Sequence, residues 1–367
     1  MAESDVDLSV VFVTRNEEEH IEDCIRTTML AVDAAIRERV IRRAEYILVD
    51  SASTDRTVEV ASRFPILIAH LEPTWPLSCG AGCHVGLQRA RGTYTAIING
   101  DMTIDPLNFV GSLRHFAPDV GAVCGVAKEE LGRSTVVERA LIRHSSVQLD
   151  VGKLPPELTW HPGGFSAGTF IVRTEAARAV GSYNPFFRAA EDTDLRHRLL
   201  RAGWRVLNLP VVQGVHFWST QDEPLELLPY FRTILRNSIG LGQMARFHVR
   251  RDRVLARKAA GPCLNARTLI QMLHGLGLAA LAATHALILV TLHPIAIGAA
   301  IGADVAFVAY LILRRRLVGI PANDVAFLAT MYPPTFGLVR LAGFVTGFLP
   351  RPHGPEEYPK NVRVTGA

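Results

Sequence analysis

The chain has 367 residues, of which 49% are hydrophobic, and its mean hydropathy is +0.19. That length allows one large domain and a smaller part, and that hydropathy is high for a purely soluble protein. The first seven residues, MAESDVD, carry three acids and no base, so no secretory signal is predicted. The five cysteines lack a second metal-ligand pair, which favours reduced cytosolic thiols over a zinc site.

Short β-branched runs alternate with helical segments through the first third of the chain. The runs are LSVVFV, YILV, PILIAH, YTAII and GAVCGVA. This alternation predicts βαβ units and a mostly parallel sheet. Ligands of such sheets bind beyond the carboxyl ends of the strands, so we expect the chemistry to follow Val13, Val49 and Ile98.

A polar segment follows each of these three strand ends. Thr14 to Ile25 reads TRNEEEHIEDCI, Val49 to Thr57 reads VDSASTDRT, and Asn99 to Asp101 reads NGD. Taken singly, each segment is consistent with a helix cap or a turn. A dinucleotide-binding fold would need Gly-x-Gly-x-x-Gly after the first strand. The first loop contains no glycine, so we reject that alternative.

Together with Glu191-Asp192, the three segments resemble family 2 glycosyltransferases of the GT-A fold. The family pattern runs Thr-x-Asn-Glu, then Val-Asp-x-x-Ser-x-Asp-x-Thr, then Asp-x-Asp and Glu-Asp. This chain carries the corresponding residues in that order. The resemblance implies an α/β fold, in which a GT-A (Rossmann-like, mostly parallel sheet) catalytic domain is followed by a C-terminal transmembrane helical region.

The resemblance also implies a nucleotide-sugar pocket at the strand ends. Thr14, Asn16 and Glu17 would line its nucleotide side, and Asp50 would contact the base or the ribose. Ser53, in the second motif, belongs to the same nucleotide-sugar-binding set, and its position also suits a cap of the following helix.

Asn-Gly-Asp stands where members of the family often carry Asp-x-Asp. By the resemblance, Asp101 ligates a divalent metal, Mg²⁺ or Mn²⁺, on the donor diphosphate, and Asn99 replaces the acid that faces the sugar or ribose. An amide still hydrogen-bonds a hydroxyl but adds no charge for a hard cation. His216 would be a further metal or diphosphate contact, and a structural histidine is an equal alternative.

The segment from Leu77 to Gly92 resembles the family sequence Gly-x-x-Ala-Arg-Asn-x-Gly. Cys83 and His84 stand where Arg-Asn is common, so we expect a donor contact through arginine to be missing. The base and the sugar of the donor therefore stay open.

The acceptor half contains Gly163 and Gly164, in a loop that we assign to acceptor binding, and then three acids that begin a helix. Acids in a first helical turn are also consistent with a solvated cap. An inverting transfer needs a base that takes the proton of the attacking acceptor hydroxyl. By the resemblance, Asp192 is that catalytic base, Glu191 supports it or contacts the acceptor, and Asp194 caps the helix.

The motif QMARF, Gln243 to Phe247, loosely resembles the Gln-x-x-Arg-Trp motif of processive polysaccharide synthases. The tryptophan is absent. We therefore expect transfer of one or a few sugars.

Apolar segments follow this motif. The segment from Arg246 to Lys258 is strongly basic. Leu269 to Thr291 contains no Asp, Glu, Lys or Arg, and the only such residue from Pro294 to Leu313 is Asp304. Both apolar segments are long enough to cross a hydrocarbon core of about 30 Å as helices. The basic flanks predict a juxtamembrane segment on anionic lipid, with the catalytic domain in the cytoplasm. Val325 to Leu349 would be a third, broken span or an interfacial helix.

These observations divide the chain into four parts. Residues 1–245 form the GT-A domain, 246–267 the basic juxtamembrane segment, 268–349 the transmembrane or membrane-associated helices, and 350–367 a flexible tail.

The resemblance and the membrane segments together predict an inverting glycosyltransferase at the cytoplasmic face of the inner membrane. Its partners would be a nucleotide-diphospho-sugar donor, a lipid-linked acceptor and membrane lipids, with no nucleic acid. Two alternatives stay open. One is a polyprenyl-phosphate monoglycosyl synthase, and the other is a non-catalytic nucleotide-binding membrane homologue.

Overall fold

The computed structural model describes residues 6–130, 169–217, 227–252, 338–351, 353–359 and 362–366, and scattered helical positions between 272 and 309. The predicted acceptor glycines, Gly163 and Gly164, lie outside the described residues. So does most of the predicted membrane region, 268–349.

The described residues form nine strands and eight helices that we number. The strands are β1 (Leu8–Thr14), β2 (Ala44–Asp50), β3 (Leu67–His70), β4 (Tyr94–Asn99), β5 (Met102–Ile104), β6 (Val120–Glu130), β7 (Thr169–Arg173), β8 (Arg205–Phe217) and β9 (Arg363–Thr365). The helices are α1 (Ile21–Arg37), α2 (Thr57–Ala61), α3 (Cys79–Arg89), α4 (Asn108–Leu113), α5 (Thr174–Ala179), α6 (Glu191–Arg201), α7 (Leu227–Asp252) and α8 (Val339–Phe348).

All nine strands belong to one sheet, in the order β5-β8-β6-β7-β4-β1-β2-β3-β9. The neighbours β3, β2, β1 and β4 are parallel, as are β6 and β8. The remaining neighbours are antiparallel. The parallel sheet predicted for the N-terminal part is confirmed, and its carboxyl edge carries the three polar segments.

Strand β1 is buried on both faces, which is why its sequence is a continuous β-branched and aromatic run. Val10 and Phe12 belong to the core cluster on the α1 face, and Val11 and Val13 belong to the cluster on the α3 face. Helix α3 lies very close to the strand because Gly82 and Gly86, one turn apart, contact Val13 and Val11 directly. A side chain at either glycine would push the helix and its loop away from the sheet.

Helix α7 is 26 residues long and pairs with α8. The contact is built on small residues: Gly242 lies against the backbone of Phe344, and Gly347 against the backbone of Ile239. The helix continues through the predicted boundary at residues 245 and 246. Within the described part of the chain, no helix is both long and apolar enough to cross a bilayer.

The residues after 350 differ from the flexible tail that the sequence predicts. Pro355–Glu357 forms a 3₁₀ turn, Tyr358 is buried, and β9 pairs antiparallel with β3. An edge strand presents unpaired backbone groups. The tail satisfies those groups on β3, and Tyr358 provides an apolar anchor for it.

Candidate active site

The loops after β1 and β2 are joined by hydrogen bonds between polar side chains and backbone. The Asn16 N–H donates to Ser53 Oγ at 2.9 Å, and the Thr54 N–H donates to Asn16 Oδ1 at 2.8 Å. Asn16 has φ +57°, a left-handed conformation that Asn tolerates better than most residues. These two predicted pocket residues, Asn16 and Ser53, therefore fix the shape of the loops to each other.

Glu17 lies where the β1 loop meets the Asn-Gly-Asp turn. Its N–H donates to Thr57 Oγ1 at 2.7 Å. A Cβ at Gly100 would lie 2.7 Å from Thr14 Cγ2 and 3.1 Å from Glu17 Cγ, so only glycine fits the turn at this distance. Burial, and then the negative charges of Asp101, Asp55 and Glu19, raise the pKa of Glu17 to about 8.

Asp50 ends β2 and is buried at the carboxyl edge of the sheet. Its two carboxylate oxygens accept from the Ser53 N–H at 3.1 and 3.3 Å. His70, at the end of β3, places Nδ1 3.7 Å from Asp50 Oδ2. The carboxylate therefore lies at a strand tip between two polar loops, as the sequence predicts.

Asp101 and His216 form a pair across β5 and β8. His216 Nε2 lies 3.1 Å from Asp101 Oδ2, and the Phe217 N–H donates to the Asp101 carbonyl at 2.9 Å. In the part of the chain that the structure describes, Asp101 Oδ1 and Thr14 Oγ1 are buried and accept or donate no hydrogen bond. Among those same residues, no three His, Cys, Asp or Glu side chains are grouped as metal ligands.

Asn99 points in another direction, towards α3. Its Oδ1 is 4.0 Å from Cys79 Sγ, which in turn is 3.9 Å from Cys83 Sγ. The hydrogen bond to Cys83 and the nearby carboxylates of Glu191 and Asp192 raise the pKa of Cys79 well above its usual value. Cys79 was not predicted as a site residue, and only its place in the first turn of α3 could have suggested it.

The positions where the family often carries Arg-Asn hold neutral groups. Cys83 is buried, and burial lowers the pKa of His84 to about 4, so its ring is uncharged at neutral pH. His84 Nδ1 lies 3.2 Å from the carbonyl oxygen of Tyr183. Neither side chain supplies a cation, as the sequence comparison with the family pattern indicates.

Glu191 and Asp192 begin α6, directly after Ala190, which has φ +69°. Burial raises the pKa of Glu191. Burial, and then the negative charge of Glu191, raise the pKa of Asp192 to about 7, and the Arg196 guanidinium opposes this shift. A carboxylate whose pKa is near the working pH is suited to accept a proton.

A match to a family model identifies the family of this chain. The family model "Glycosyl transferase family 2" matches residues 9–193, just over half of the chain. The chain belongs to glycosyl transferase family 2. The predicted resemblance is therefore confirmed, and the matched residues include every motif that carried it. Among curated proteins, none matches the chain.

The chain is similar to several solved structures. The mannosyltransferase PcManGT from Pyrobaculum calidifontis, in complex with GDP-Man and Mn²⁺, is 18% identical, with a TM-score of 0.61 over 95% of this chain and 90% of that one. TarS 1-349 from S. aureus, in complex with UDP-GlcNAc, is 14% identical, with a TM-score of 0.46 over 68% of this chain and 74% of that one. The first comparison confirms the GT-A fold of this glycosyltransferase.

Asp194 is more than the predicted helix cap of the glycosyltransferase. Its carboxylate is fully buried, accepts from Arg198 Nε at 3.0 Å and Nη2 at 2.6 Å, and lies 2.8 Å from His248 Nε2. Arg198 is one turn away on α6, whereas His248 belongs to α7. The buried network therefore ties the helix that carries Asp192 to α7.

Gln243 makes a second tie between α7 and the active-site loop. Its Oε1 accepts from the Arg188 N–H at 2.9 Å, and its Nε2 donates to the Phe186 carbonyl at 3.1 Å. Gly240 contacts the backbone of Ala189, so α7 lies directly under the residues that lead into Glu191. The structure thus gives the QMARF segment a positioning role, which sequence reasoning missed.

We expect Asp194→Asn to lower the free energy of unfolding by about 3 kcal/mol, because it leaves the buried Arg198 guanidinium without its counter-charge. Burial alone would raise the pKa of Asp194, but Arg198 and His248 hold this pKa below its usual value. The stabilisation is therefore complete above the unfolded-state pKa of about 3.9 and is lost as the pH falls through the lower folded-state pKa. Denaturant unfolding of wild type and of Asp194→Asn, from pH 7 to pH 3, measures the difference in unfolding free energy and its loss at low pH.

The matched control is Glu59→Gln, which removes an exposed i,i+4 ion pair with Arg63. We expect a change of at most about 0.5 kcal/mol there. Equal stabilities for the Asp194 variant and the control would contradict the buried network.

Proposed function

We propose that this glycosyltransferase moves a sugar from a nucleotide-diphospho-sugar to an acceptor hydroxyl with inversion. One observation carries the proposal: Cys79 contacts Asn99, at the end of β4, and the next residue, Gly80, lies against Glu191 at the start of α6, where a Cβ would come within 3.2 Å of Glu191 Cβ. The acids of α6 therefore lie against the strand end that leads to Asp101. The proposed base and diphosphate site thus lie on the two sides of the Asn-Gly-Asp turn, at one edge of the sheet.

Asp192 is the proposed catalytic base. Its raised pKa lets the carboxylate accept the acceptor hydroxyl proton as that oxygen attacks the anomeric carbon. Glu191 contributes a neighbouring negative charge that increases this basicity. On the donor side, Thr14, Glu17 and Asp50 line the strand ends where the nucleotide would lie.

Asp101 and His216 are the proposed protein ligands of Mn²⁺ or Mg²⁺. The donor set fits: one buried carboxylate oxygen of Asp101 is without a hydrogen bond among the described residues, and the other lies beside the imidazole. Carboxylate oxygen suits a hard cation, and imidazole is also a ligand of transition metals. The mannosyltransferase of similar fold was solved with GDP-Man and Mn²⁺. Such an ion would stabilise the charge of the leaving diphosphate.

The proposed acceptor is lipid-linked, and the proposed location is the cytoplasmic face of the membrane. The support is the apolar sequence after Leu264 and the basic run that α7 enters. Helix α8 and the residue after it also expose apolar side chains, with Val345 44% and Leu349 73% exposed. These side chains are consistent with contact to lipid near the site.

The test follows nucleoside diphosphate release by the purified full-length protein in detergent, across a panel of nucleotide sugars. We expect one donor to be turned over, turnover to rise when a lipid extract is added, and EDTA to abolish it. Restoring Mn²⁺ or Mg²⁺ should restore the rate. Turnover that EDTA leaves unchanged would contradict the metal. Nucleotide binding without turnover of any donor would favour the non-catalytic homologue.

A further inference from the structure

Strand β9 covers the outer edge of the sheet next to the nucleotide side of the site. It pairs with β3 so that Thr365 is opposite Ile68 and Arg363 is opposite His70. Because β9 runs antiparallel to β3, its first residue lies at the carboxyl edge of the parallel strands. The C-terminal segment thus reaches the edge where the nucleotide loops are found.

A row of register partners crosses this edge. Thr14 is paired with Asp50, Asp50 with His70, and His70 with Arg363. Register partners on neighbouring strands project from the same face of a sheet. The row therefore extends the predicted nucleotide residues Thr14 and Asp50 by His70, which belongs to none of the sequence motifs, and by Arg363, which lies beyond the family match as well.

His70 links the carboxylate to the C-terminal strand. Its Nε2 is 2.7 Å from Thr365 Oγ1, and its Nδ1 is 3.7 Å from Asp50 Oδ2. The second distance is longer than a hydrogen bond, so the Thr365 contact is what holds the ring. When the Thr365 hydroxyl donates to Nε2, the ring proton is on Nδ1 and faces Asp50.

The segment that carries Thr365 is held at several points. Arg89 Nη2 donates to the Val362 carbonyl at 2.8 Å, and the Tyr358 hydroxyl donates to the Pro76 carbonyl at 3.0 Å. After the strand, Gly366 has φ +93°, and a Cβ there would be 2.7 Å from the Ile66 carbonyl oxygen. The chain is therefore fitted to the edge on both sides of Thr365.

We propose that His70, held by Thr365 of β9, forms the nucleobase wall of the donor site and sets which base is accepted. The ligand is the base or ribose of a nucleoside diphosphate, bound beside Asp50. His70 would be a specificity residue, and Thr365 a positioning residue that acts through it. This inference rests on the proposed function, because it takes the carboxyl edge of the sheet around Asp50 as the donor site.

The test is isothermal titration of the full-length protein with UDP, GDP, ADP, CDP and dTDP in the presence of Mn²⁺. We expect Thr365→Val to weaken the Kd of the preferred nucleotide about fivefold, the cost of one lost hydrogen bond, with kcat at saturating donor unchanged. Thr365→Ser should restore binding to within about twofold of wild type. Val364→Thr, an exposed neighbour on the opposite face of β9, is the matched control and should leave Kd unchanged.

The variant His70→Phe tests base selectivity, the ratio of purine to pyrimidine Kd values, which partial unfolding does not change. We expect it to change the ratio of purine to pyrimidine Kd values at least about tenfold, whereas a lower folded fraction would weaken every nucleotide equally. The inference would be overturned if wild type binds a nucleotide and the His70 and Thr365 variants show the same Kd and the same purine-to-pyrimidine ratio as wild type. That result would leave the proposed function intact. If wild type binds none of the five nucleotides, the inference and the proposed donor site both fall.

Discussion

Asp192→Asn is expected to lower kcat about 10³-fold, because a general base contributes roughly 10² to 10⁴ to a rate. The amide keeps the shape of the carboxylate but cannot take the proton of the acceptor hydroxyl. In wild type, the pKa of Asp192 near 7 predicts that kcat/KM rises as the pH passes through about 7 and is flat above it. The variant should lose this rise, which a pH profile of turnover with the preferred donor measures.

Stability provides the control for this variant. The folded-state pKa of Asp192 is raised, so at pH 8 the ionised carboxylate favours the unfolded protein. Removing the charge should leave the thermal midpoint equal or higher, and nucleotide binding unchanged. A slow variant with a lowered midpoint would indicate misfolding instead.

The same variant separates the proposed function from its nearest rival. A polyprenyl-phosphate monoglycosyl synthase transfers sugar to an acceptor that is already an anion, and such an acceptor needs no base. Nearly wild-type turnover of Asp192→Asn would therefore exclude the role of Asp192 and favour a phosphate acceptor. Loss of turnover with a hydroxyl acceptor would exclude the rival.

The parts of the site that the sequence predicts are those whose chemistry is local. Asp50 and Asp101 follow strands whose periodicity is visible, and parallel strands bring their carboxyl ends to one edge whatever the details of packing. Glu191 and Asp192 begin α6 because acids favour a helix N-terminus. The motif order and the strand pattern were therefore sufficient for the GT-A fold and for the positions of these four residues in it, whereas their roles stay predictions.

The parts that could not be predicted depend on contacts between distant segments. Asp194 looks like a cap until α7 brings His248 beside it, 54 residues along the chain. The loose motif match drew attention to Gln243 but did not predict its hydrogen bond to Arg188. The acceptor side chain of Gln243 binds a backbone N–H, and a backbone group leaves no signature in the sequence. The polar, proline-rich composition of the C-terminal residues predicts a loose tail. Edge-strand pairing and one buried tyrosine, Tyr358, decide otherwise.

These distant contacts have a common effect on the acids of α6. Helix α7 binds the loop before Glu191 through Gln243 and binds α6 itself through His248. On the other side, Gly80 of α3 lies against Glu191, where a Cβ would come within 3.2 Å of Glu191 Cβ. The two carboxylates are thus held between two helices, and burial raises both of their pKa values.

Asp101→Ala is expected to remove metal-dependent turnover, lowering kcat/KM by about 10³-fold even at high Mn²⁺. The substitution deletes the carboxylate that lies 3.1 Å from His216, and an uncharged site holds a hard cation poorly. Without the ion, the developing charge on the leaving diphosphate loses several kcal/mol of stabilisation. Turnover measured against Mn²⁺ concentration tests this. Full activity of the variant would exclude Asp101 as the metal ligand.

A double variant that moves the acid by two residues tests whether positions 99 and 101 both reach the metal, as the two acids of Asp-x-Asp would. The double variant Asn99→Asp with Asp101→Asn keeps the charge and the length of the segment. Because Asn99 points to Cys79 on α3, whereas Asp101 pairs with His216 on β8, a carboxylate at position 99 lies on the other side of the turn. We therefore expect the double variant to be as inactive as Asp101→Ala. Recovery of Mn²⁺-dependent turnover would mean that both positions reach the same ion, and that the amide at Asn99 is a weakened ligand of it.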